Sequence, residues 1–384
     1  MFKGLFDLQS RFDKIDSNGD PLVALNKAID WELFRPDLEP LRARERKSSA
    51  GRKPYDLVLL FKMLVLQSLY NLSDDRIEQL VLDRLSFHRF LGLTFGDPVP
   101  DAKTIWAFRE ALNADDRARL LFDKFESFLS QKGFQARKGQ IIDASIVEVP
   151  KQRNSREENA LIKNGEAEKV RAEWSPAKAA QKDTNARWTK KNNKNFFGYK
   201  HHDSVDAAHK LVRDYSVTPA NVHDSQEFVG LLGENKEDAP SSENVNAELP
   251  AENMDALPVE AAKVELPAEN ANAEVPVETD MRDVYADSAY RSAEHESILS
   301  ARNLRSHILK KGTRNQKLTE QEQGENHKHS KVRVRIEHVY GSMRQRMGDT
   351  VIRAIGLVRA TTKIGLRLLT YNLDRYTFLA RGSV

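Results

Sequence analysis

Three carboxylates in different settings are the residues most able to support chemistry in this chain. Glu337 lies among arginines in VRVRIEHVYGSMRQ (332–345), Asp143 lies inside the apolar run GQIIDASIVEVP (139–150), and Asp287 ends the short run MRDVYAD. Carboxylate oxygens are the ligands that Mg²⁺ prefers. The chain has no cysteine, which excludes zinc–thiolate sites, disulfides and cysteine nucleophiles. If folding brings the three acids together, they would form a site for a hard divalent cation.

The setting of Glu337 also has an ordinary interpretation. Helical spacing puts Arg333, Glu337 and Arg344 on the face opposite an apolar stripe. An arginine and a glutamate four residues apart often pair on helix surfaces, and such a pair contributes only about 0.3–0.5 kcal/mol. A metal-binding role for Glu337 therefore depends on whether the other two acids reach the same place. The stripe consists of Val332, Ile336, Val339 and Met343.

Asp143 and Asp287 are both predicted to lie in or at the end of β-strands. The isoleucines and valines around Asp143 are strand formers, and Pro150 closes the run. An aspartate in the middle of a strand is disfavoured unless it has a partner or a task. Each acid alone also has a structural interpretation, because Asp287 could cap the helix that follows and Asp143 could be a polar residue near a strand end.

The first part of the chain, residues 1–135, is predicted to be a helical domain. Its first strong helix, PYDLVLLFKMLVLQSLYNL, is apolar on most sides and should be buried. Ser73 and Asp101 are placed as N-caps of the second and third helices. Several short helices ahead of a basic region suit a helix-turn-helix-like DNA reader, and they suit a dimerisation bundle equally well.

Residues 136–384 are predicted to form the second domain, and residues 151–197 within it read as a polar insert. The basic part of this insert contains Trp188, Lys190 and Lys191. Such a stretch could follow a phosphate backbone and stack the tryptophan on an unpaired base. The alternative is a solvated basic loop whose tryptophan packs on the domain. After the insert, two β-prone runs at about 197–205 and 210–218 predict a hairpin, in which adjacent His201 and His202 would point to opposite faces.

Residues 234–280 are predicted to be a disordered acidic insertion. They contain thirteen acids and two lysines, and the sequence ELPAEN occurs in them twice. Their composition is typical of disordered segments. The chain has a formal net charge of +3 and this segment carries −11, so the remainder carries +14. A basic remainder of this size favours a polyanionic partner, most simply nucleic acid.

The predicted elements follow one another as a strand with Asp143, a hairpin, a short helix, a strand ending at Asp287, a helix, a strand and a helix with Glu337. A mixed α/β sheet flanked by helices in this order resembles the ribonuclease H-like fold. There, acids on the first and fourth strands lie side by side and a late helix supplies a third.

Three motifs extend this resemblance to a family. Three segments resemble, in the same order, the motifs of DDE transposases of bacterial insertion sequences of the insertion-sequence-five type. These segments are IIDASIV, DVYADSAYRS and RVRIEHVYGSMR. Two earlier segments are similar to the helical N-terminal domain of that family, namely GRKPYDLVLLFKMLVLQSLYNLSDDRIEQ and PDAKTIWAFRE. The similarity covers roughly residues 50–235 and 280–380.

The resemblance implies that Asp143, Asp287 and Glu337 are catalytic acids. They would bind two Mg²⁺ ions, for which Mn²⁺ would substitute, and two such ions about 3.5–4 Å apart serve phosphoryl transfer. Arg333 and Arg344 would hold DNA phosphates. The chain departs from the related signature at Ser330, where a tyrosine is expected, and at Arg344, where a lysine is expected.

The implied activity is hydrolysis of phosphodiesters at the terminal inverted repeats of the element, followed by transfer of the 3′-hydroxyl into target DNA. The implied partners are double-stranded DNA and further copies of the chain, in a dimer or a larger synaptic oligomer. No signal peptide or apolar run of membrane-spanning length is recognised, so a cytoplasmic, nucleoid-associated protein is expected. The alternatives are a catalytically inactive sequence-specific DNA-binding protein derived from a transposase, and a related nuclease that cuts without joining.

Overall fold

A computed structural model describes residues 7–42, 53–136, 139–233, 282–313, 316–348 and 351–381. The acidic insertion predicted for residues 234–280 lies outside these ranges. The first half of the described chain is helical: α1 (Asp7–Ser17), α2 (Pro21–Ala28), α3 (Arg35–Leu38), α4 (Leu57–Tyr70), α5 (Asp74–Asp83), α6 (Leu85–Leu91), α7 (Ala102–Ala111) and α8 (Arg117–Gln131).

The helix boundaries follow local capping chemistry. The predicted N-caps are confirmed, because the Ser73 side chain accepts from the backbone of α5 and Asp101 accepts from that of α7. Helix α4 is buried on most sides, as its composition predicts. The prediction of one continuous helix after Ser73 is wrong, because two helices form there. Arg84 adopts an extended conformation (φ −101°, ψ 117°) and divides it into α5 and α6, and Gly92 ends α6 in the left-handed region.

The second half of the described chain combines a sheet with helices. Its elements are β1 (Gln140–Glu148), α9 (Arg156–Lys163), α10 (Ala167–Glu173), α11 (Pro176–Ala179), β2 (Arg187–Lys191), β3 (Lys194–Asp206), β4 (Val212–Pro219), α12 (Phe228–Leu231), β5 (Arg282–Ala286), α13 (Ala293–Ala301), β6 (Leu304–Ile308), α14 (Glu320–Met347) and α15 (Leu357–Arg381).

The strands form one mixed sheet. Strand β1 lies between β3, to which it is antiparallel, and β5, to which it is parallel. On one side β3 also pairs with β4 and with β2, both antiparallel, and on the other β5 pairs with β6 in parallel. The sheet thus begins with antiparallel strands and continues with two parallel strands that are reached through helices. This is the ribonuclease H-like topology that the order of elements predicts.

The structure corrects two details of the sequence interpretation. Residues 151–197 are more ordered than a polar loop: they contain α9, α10 and α11, which bury Ile162, Val170 and Trp174 in a small core of their own. They also supply β2 and the start of β3 to the sheet. The apolar residues Ile298, Leu299 and Leu304 predict one helix after Asp287. Leu304 instead begins β6, because Asn303 takes a left-handed conformation (φ 51°) and stops α13.

The N-terminal helices share a continuous hydrophobic core with the sheet. Helix α15 packs against α4 and α8 on one side and against β4 on the other. The rings of Phe122 on α8 and Tyr215 on β4 meet at 5.0 Å, and Arg119 beside them pairs with Asp214 at 2.6 Å. The helical region therefore braces the sheet directly. Its division from the rest at residue 135, and its role in DNA binding or dimerisation, stay predictions.

Within the described ranges, no single helix is both long and apolar enough to cross a membrane. One pair, α4 with α5, reaches the required length and composition together but is bent by 102°.

Candidate active site

The register of the sheet brings Asp143 and Asp287 to the same edge. The last paired residues of the parallel strands β1 and β5 are Ile142 and Ala286, and both are buried on one face of the sheet. The next residue on each strand is an aspartate, and alternation turns both aspartates toward the other face. Asp143 continues within β1 while β5 ends at Ala286, so the two acids come side by side where the strands part.

Helix α14 lies across this face of the sheet and packs against β1 and β5. Thr319 and Glu322 form a capping box at its start. The predicted stripe is confirmed: Ile336, Val339 and Met343 are buried, and Val332 is partly buried against the same core. With this stripe in the core, the face that carries Arg333 and Glu337 turns toward Asp143.

Arg333 makes the closest contact between the helix and the acids. Its Nη1 donates to Oδ2 of Asp143 at 2.8 Å, and its Nη2 lies 3.6 Å from Oε1 of Glu337. The Asp143 side chain is only 16% exposed, whereas that of Glu337 is 54% exposed. The predicted Arg333–Glu337 pair therefore exists, but Arg333 lies nearer to the buried carboxylate and connects the two acids.

Asp143 is held in an environment that disfavours its charge. Burial raises the pKa of its carboxyl to about 6, against the opposing effects of the Ala144 amide and of Arg333. The negative charge of Glu337 raises the pKa further. A buried carboxylate with a nearby acid favours a cation at this position.

Asp287 has a local partner as well. Its side chain accepts from the backbone of Ser288 and caps the 3-10 turn Ser288–Tyr290. The capping role considered from the sequence is therefore present, although it serves this turn and not α13, which Ser292 caps. The Asp287 carboxylate is partly exposed.

Sequence reasoning missed the polar residues between α14 and the sheet. His201, interpreted from the sequence as a polar residue of the hairpin, is buried on β3 together with Asp203. His201 Nδ1 lies 2.7 Å from Asp203 Oδ2, and the Tyr340 hydroxyl donates to the backbone carbonyl of Asp143 at 3.3 Å. His202 points to the opposite face, as strand alternation predicts, and contacts Thr218. The pairing of Asp143 with Asp203 would have identified this pair of acids. It could be found only with the register of β1 and β3, which the sequence alone does not provide.

The predicted DNA-binding residues lie on two elements. Lys190 and Lys191 are exposed on β2, just before a two-residue turn in which Asn192 and Asn193 both have positive φ. The charge of Lys191 lowers the pKa of Asp143, so this hairpin reaches toward the acids.

Trp188 and Arg344 combine exposure with contacts. Half of Trp188 is exposed (51%), while its ring packs 5.1 Å from that of Phe197 and has the Lys151 ammonium 5.9 Å away. Part of the Trp188 ring is thus exposed and could stack on a base, and part of it packs on the domain. Arg344 is exposed and lines a small cavity together with Ser145 and His201.

The three acids carry donor atoms of the kind that a divalent cation prefers, but their side chains do not form a ready metal-binding cluster. In the described ranges, no three His, Cys, Asp or Glu side chains already stand in a metal-binding arrangement. Asp143, Asp287 and Glu337 offer oxygen donors only, which suits a hard cation. The guanidinium of Arg333 contacts Oδ2 of Asp143, so a positive charge lies beside the carboxylate that would bind an ion.

Comparison with known families gives two matches that together span most of the chain. A family model described as "Transposase DDE domain" matches residues 135–243 and 268–373, which is more than half of the chain. A model described as "Transposase domain (DUF772)" matches residues 9–111. A solved structure, the cryo-EM structure of a piggyBac transposase synaptic complex with hairpin DNA, is 11% identical, with 94% of this chain and 76% of that chain covered and a TM-score of 0.43. A likeness at that level is too weak to assign a property to this chain.

The Arg333–Asp143 contact predicts a pH-dependent loss of stability. Arg333→Met leaves the Asp143 carboxylate buried without its cation, and we expect a loss of about 1–3 kcal/mol in unfolding free energy at pH 8. Because the pKa of Asp143 is already near 6 and rises further without Arg333, the carboxyl is protonated at pH 5 and the loss should become smaller there. Urea unfolding of the metal-free protein at both pH values measures this.

Arg305→Met is the matched control for this measurement. Arg305 is 55% exposed and lies 3.4 Å from Asp283, so its removal should cost less than about 1 kcal/mol. An equal loss for Arg333→Met at pH 5 and pH 8 would show that the contact does not neutralise Asp143.

Proposed function

Because this chain belongs to the DDE transposase family, we propose that Asp143, Asp287 and Glu337 form the catalytic site of a DNA transposase. The observation that carries the assignment is the meeting of Arg333 with Asp143, since it places the Glu337 helix over the strands that carry the two aspartates. In this proposal, the three acids, which come from distant parts of the sequence, would act together on one side of the sheet.

We propose two Mg²⁺ ions as the cofactors, with Mn²⁺ able to replace them. The family generally uses divalent metal ions. Asp143, Asp287 and Glu337 would hold the ions through carboxylate oxygens. When bound, such ions supply Lewis acidity to the attacking and leaving oxygens of a phosphodiester. Arg333, which pairs with Asp143 at 2.8 Å, would balance the charge of this carboxylate and would be available to a DNA phosphate when an ion is bound.

The basic residues around the acids would hold the DNA strand. Arg344, one turn beyond Tyr340 on the same face of α14, would contact a phosphate next to the cut. Lys190 and Lys191 would bind the backbone from the β2–β3 hairpin. Trp188, with about half of its side chain exposed, would stack on a base that has left the helix near the end of the element.

The proposed reaction has two phosphoryl-transfer steps. In the first, a water oxygen bonds to phosphorus at an inverted-repeat end, the bond from phosphorus to the 3′ oxygen breaks, and the 3′-hydroxyl is released. In the second, that hydroxyl bonds to a phosphorus of the target strand and displaces the target's own 3′ oxygen. Neither step needs ATP, because one phosphodiester is exchanged for another in the joining step.

The proposed partners follow from the reaction. Cutting two ends and joining them to a target requires double-stranded DNA at three places, which favours a homodimer or a larger synaptic oligomer. A DNA substrate of this kind places the protein in the cytoplasm, on the nucleoid. The catalytically inactive alternative is not favoured, since the family match spans the catalytic region and all three acids are present.

Asp287→Asn tests the catalytic assignment. It removes a metal-binding charge while preserving the shape of the side chain, so we expect cleavage of inverted-repeat DNA to fall by at least 100-fold and DNA affinity to change less than threefold. Cleavage is measured on end-labelled DNA with Mg²⁺, with Mn²⁺ and with EDTA, and joined strands are scored separately.

Asp283→Asn is the control, because Asp283 lies on the same strand and bonds to His307 at 3.0 Å. This variant should cleave like the unchanged protein. Cleavage by Asp287→Asn at the normal rate contradicts the assignment. Cutting without any joined product would instead indicate the nuclease that cuts without joining.

The hairpin predicts a change in salt dependence. Replacing Lys190 and Lys191 together by alanine should weaken binding to all DNA sequences and reduce the slope of log affinity against log salt by about two. Lys169→Ala is the control, since Glu166 already pairs with that ammonium at 2.9 Å. An unchanged slope in the double variant would remove the hairpin from the DNA interface.

A further inference from the structure

A second buried acid lies next to the proposed catalytic aspartate. Asp203 on β3 is the direct partner of Asp143 in the antiparallel β1–β3 ladder, and its side chain is fully buried. Directly opposite residues project from the same face of a sheet, so both carboxylates lie beneath α14. Like charges opposite each other destabilise a sheet, and burial adds to that cost. The presence of two buried carboxyl groups opposite each other is therefore not explained by a gain in stability.

The partners of Asp203 differ from those of a buried acid with a purely structural role. Asp206, three residues later on β3, is also fully buried, but it accepts from Arg213, from His209 and from two backbone amides. Asp203 Oδ2 lies 2.7 Å from His201 Nδ1, and the Tyr340 hydroxyl is a further hydrogen-bonding neighbour of this carboxyl. Within the described residues, no arginine or backbone amide bonds to the Asp203 carboxyl. The surroundings of Asp203 therefore stabilise its charge less completely than those of Asp206.

Tyr340 connects this pair to the catalytic helix. Its ring meets that of His201 edge-on at 5.5 Å, and its hydroxyl donates to the Asp143 carbonyl at 3.3 Å. Burial, followed by the charges of Asp203 and Asp143, raises the pKa of Tyr340 well above its ordinary value, so the phenol stays a donor. Tyr340 lies three residues after Glu337 and on the same helix face.

We propose that Asp203 and His201 are positioning residues that hold the Tyr340 side chain against β1 and thereby set the rotation of α14 over the sheet. The position of Glu337, and that of Arg333 one turn before it, then depends on this contact. Asp203 is too deeply buried to touch DNA, and it acts on the acids only through Tyr340 and the β1 backbone. The proposal rests on the proposed function for the identity of the residues that are positioned.

Asp203→Asn separates positioning from stability. The substitution keeps the shape of the side chain and removes a charge opposite Asp143, so the free energy of unfolding should stay the same or rise. Without that charge facing it, Tyr340 should hold α14 less firmly. We expect amides of residues 333–344 to exchange with deuterium at least threefold faster in the metal-free protein.

The same variant should also affect the loaded site. Groups that orient metal-binding residues typically alter metal affinity or activity by about 10–100-fold when they are removed. We expect Asp203→Asn to raise the half-saturating Mn²⁺ concentration for cleavage by this factor, with DNA affinity unchanged. Tyr340→Phe should act in the same direction, and the double variant should be no worse than the more impaired single variant, because both act through one contact.

Asp206→Asn is the matched control. It breaks the buried pair with Arg213, so it should lower stability and leave both the exchange of 333–344 and the Mn²⁺ dependence unchanged. The proposal is overturned if Asp203→Asn shows normal exchange and normal Mn²⁺ dependence, or if it behaves like Asp206→Asn. If no version of the protein cuts DNA, the proposed function fails, while the exchange measurement still decides whether Asp203 positions α14.

Discussion

The position of Asp143 inside β1 is the constraint on which the rest of the site depends. A carboxylate that is largely buried in the middle of a sheet needs a positive charge, and Arg333 from α14 provides it at 2.8 Å. That single contact joins two parts of the chain 190 residues apart. It also fixes which face of α14 meets the sheet, and so it brings Glu337 to the side of the sheet on which the neighbouring strand β5 presents Asp287.

The remainder of the fold holds α14 in place against this contact. Arg367 of α15 donates to the carbonyls of Met343, Met347 and Gly348, which would otherwise lack partners at the end of α14. Because α15 also packs on α4 and α8, and α14 itself contacts α4, the N-terminal helices stabilise α14 both directly and through α15. A substitution in the helical region can therefore alter the site without contact with DNA or metal.

The sequence was sufficient for the stripe of α14 and for the order of the strands, because each leaves a local pattern of apolar residues. The catalytic role of Asp143, Asp287 and Glu337 stays a prediction that rests on the family resemblance. The sequence was insufficient where tertiary contacts decide. His201 and Asp203 are polar residues in a segment that predicts a hairpin, and they become buried because β3 pairs with β1 and α14 packs over them. Helices α9 to α11 are short and carry few apolar residues. The capping box formed by Ser155 and Glu158 at the start of α9 is the local signal that could have found the first of them.

Anomalous scattering from Mn²⁺, in crystals of the protein bound to the DNA end of its element, tests the proposed three-acid site most directly. We expect Mn²⁺ in contact with carboxylate oxygens of Asp143, Asp287 and Glu337, and Arg333 in contact with a phosphate instead of Asp143. Mn²⁺ bound elsewhere, with Arg333 still on Asp143 beside a correctly placed DNA strand, would contradict this proposal.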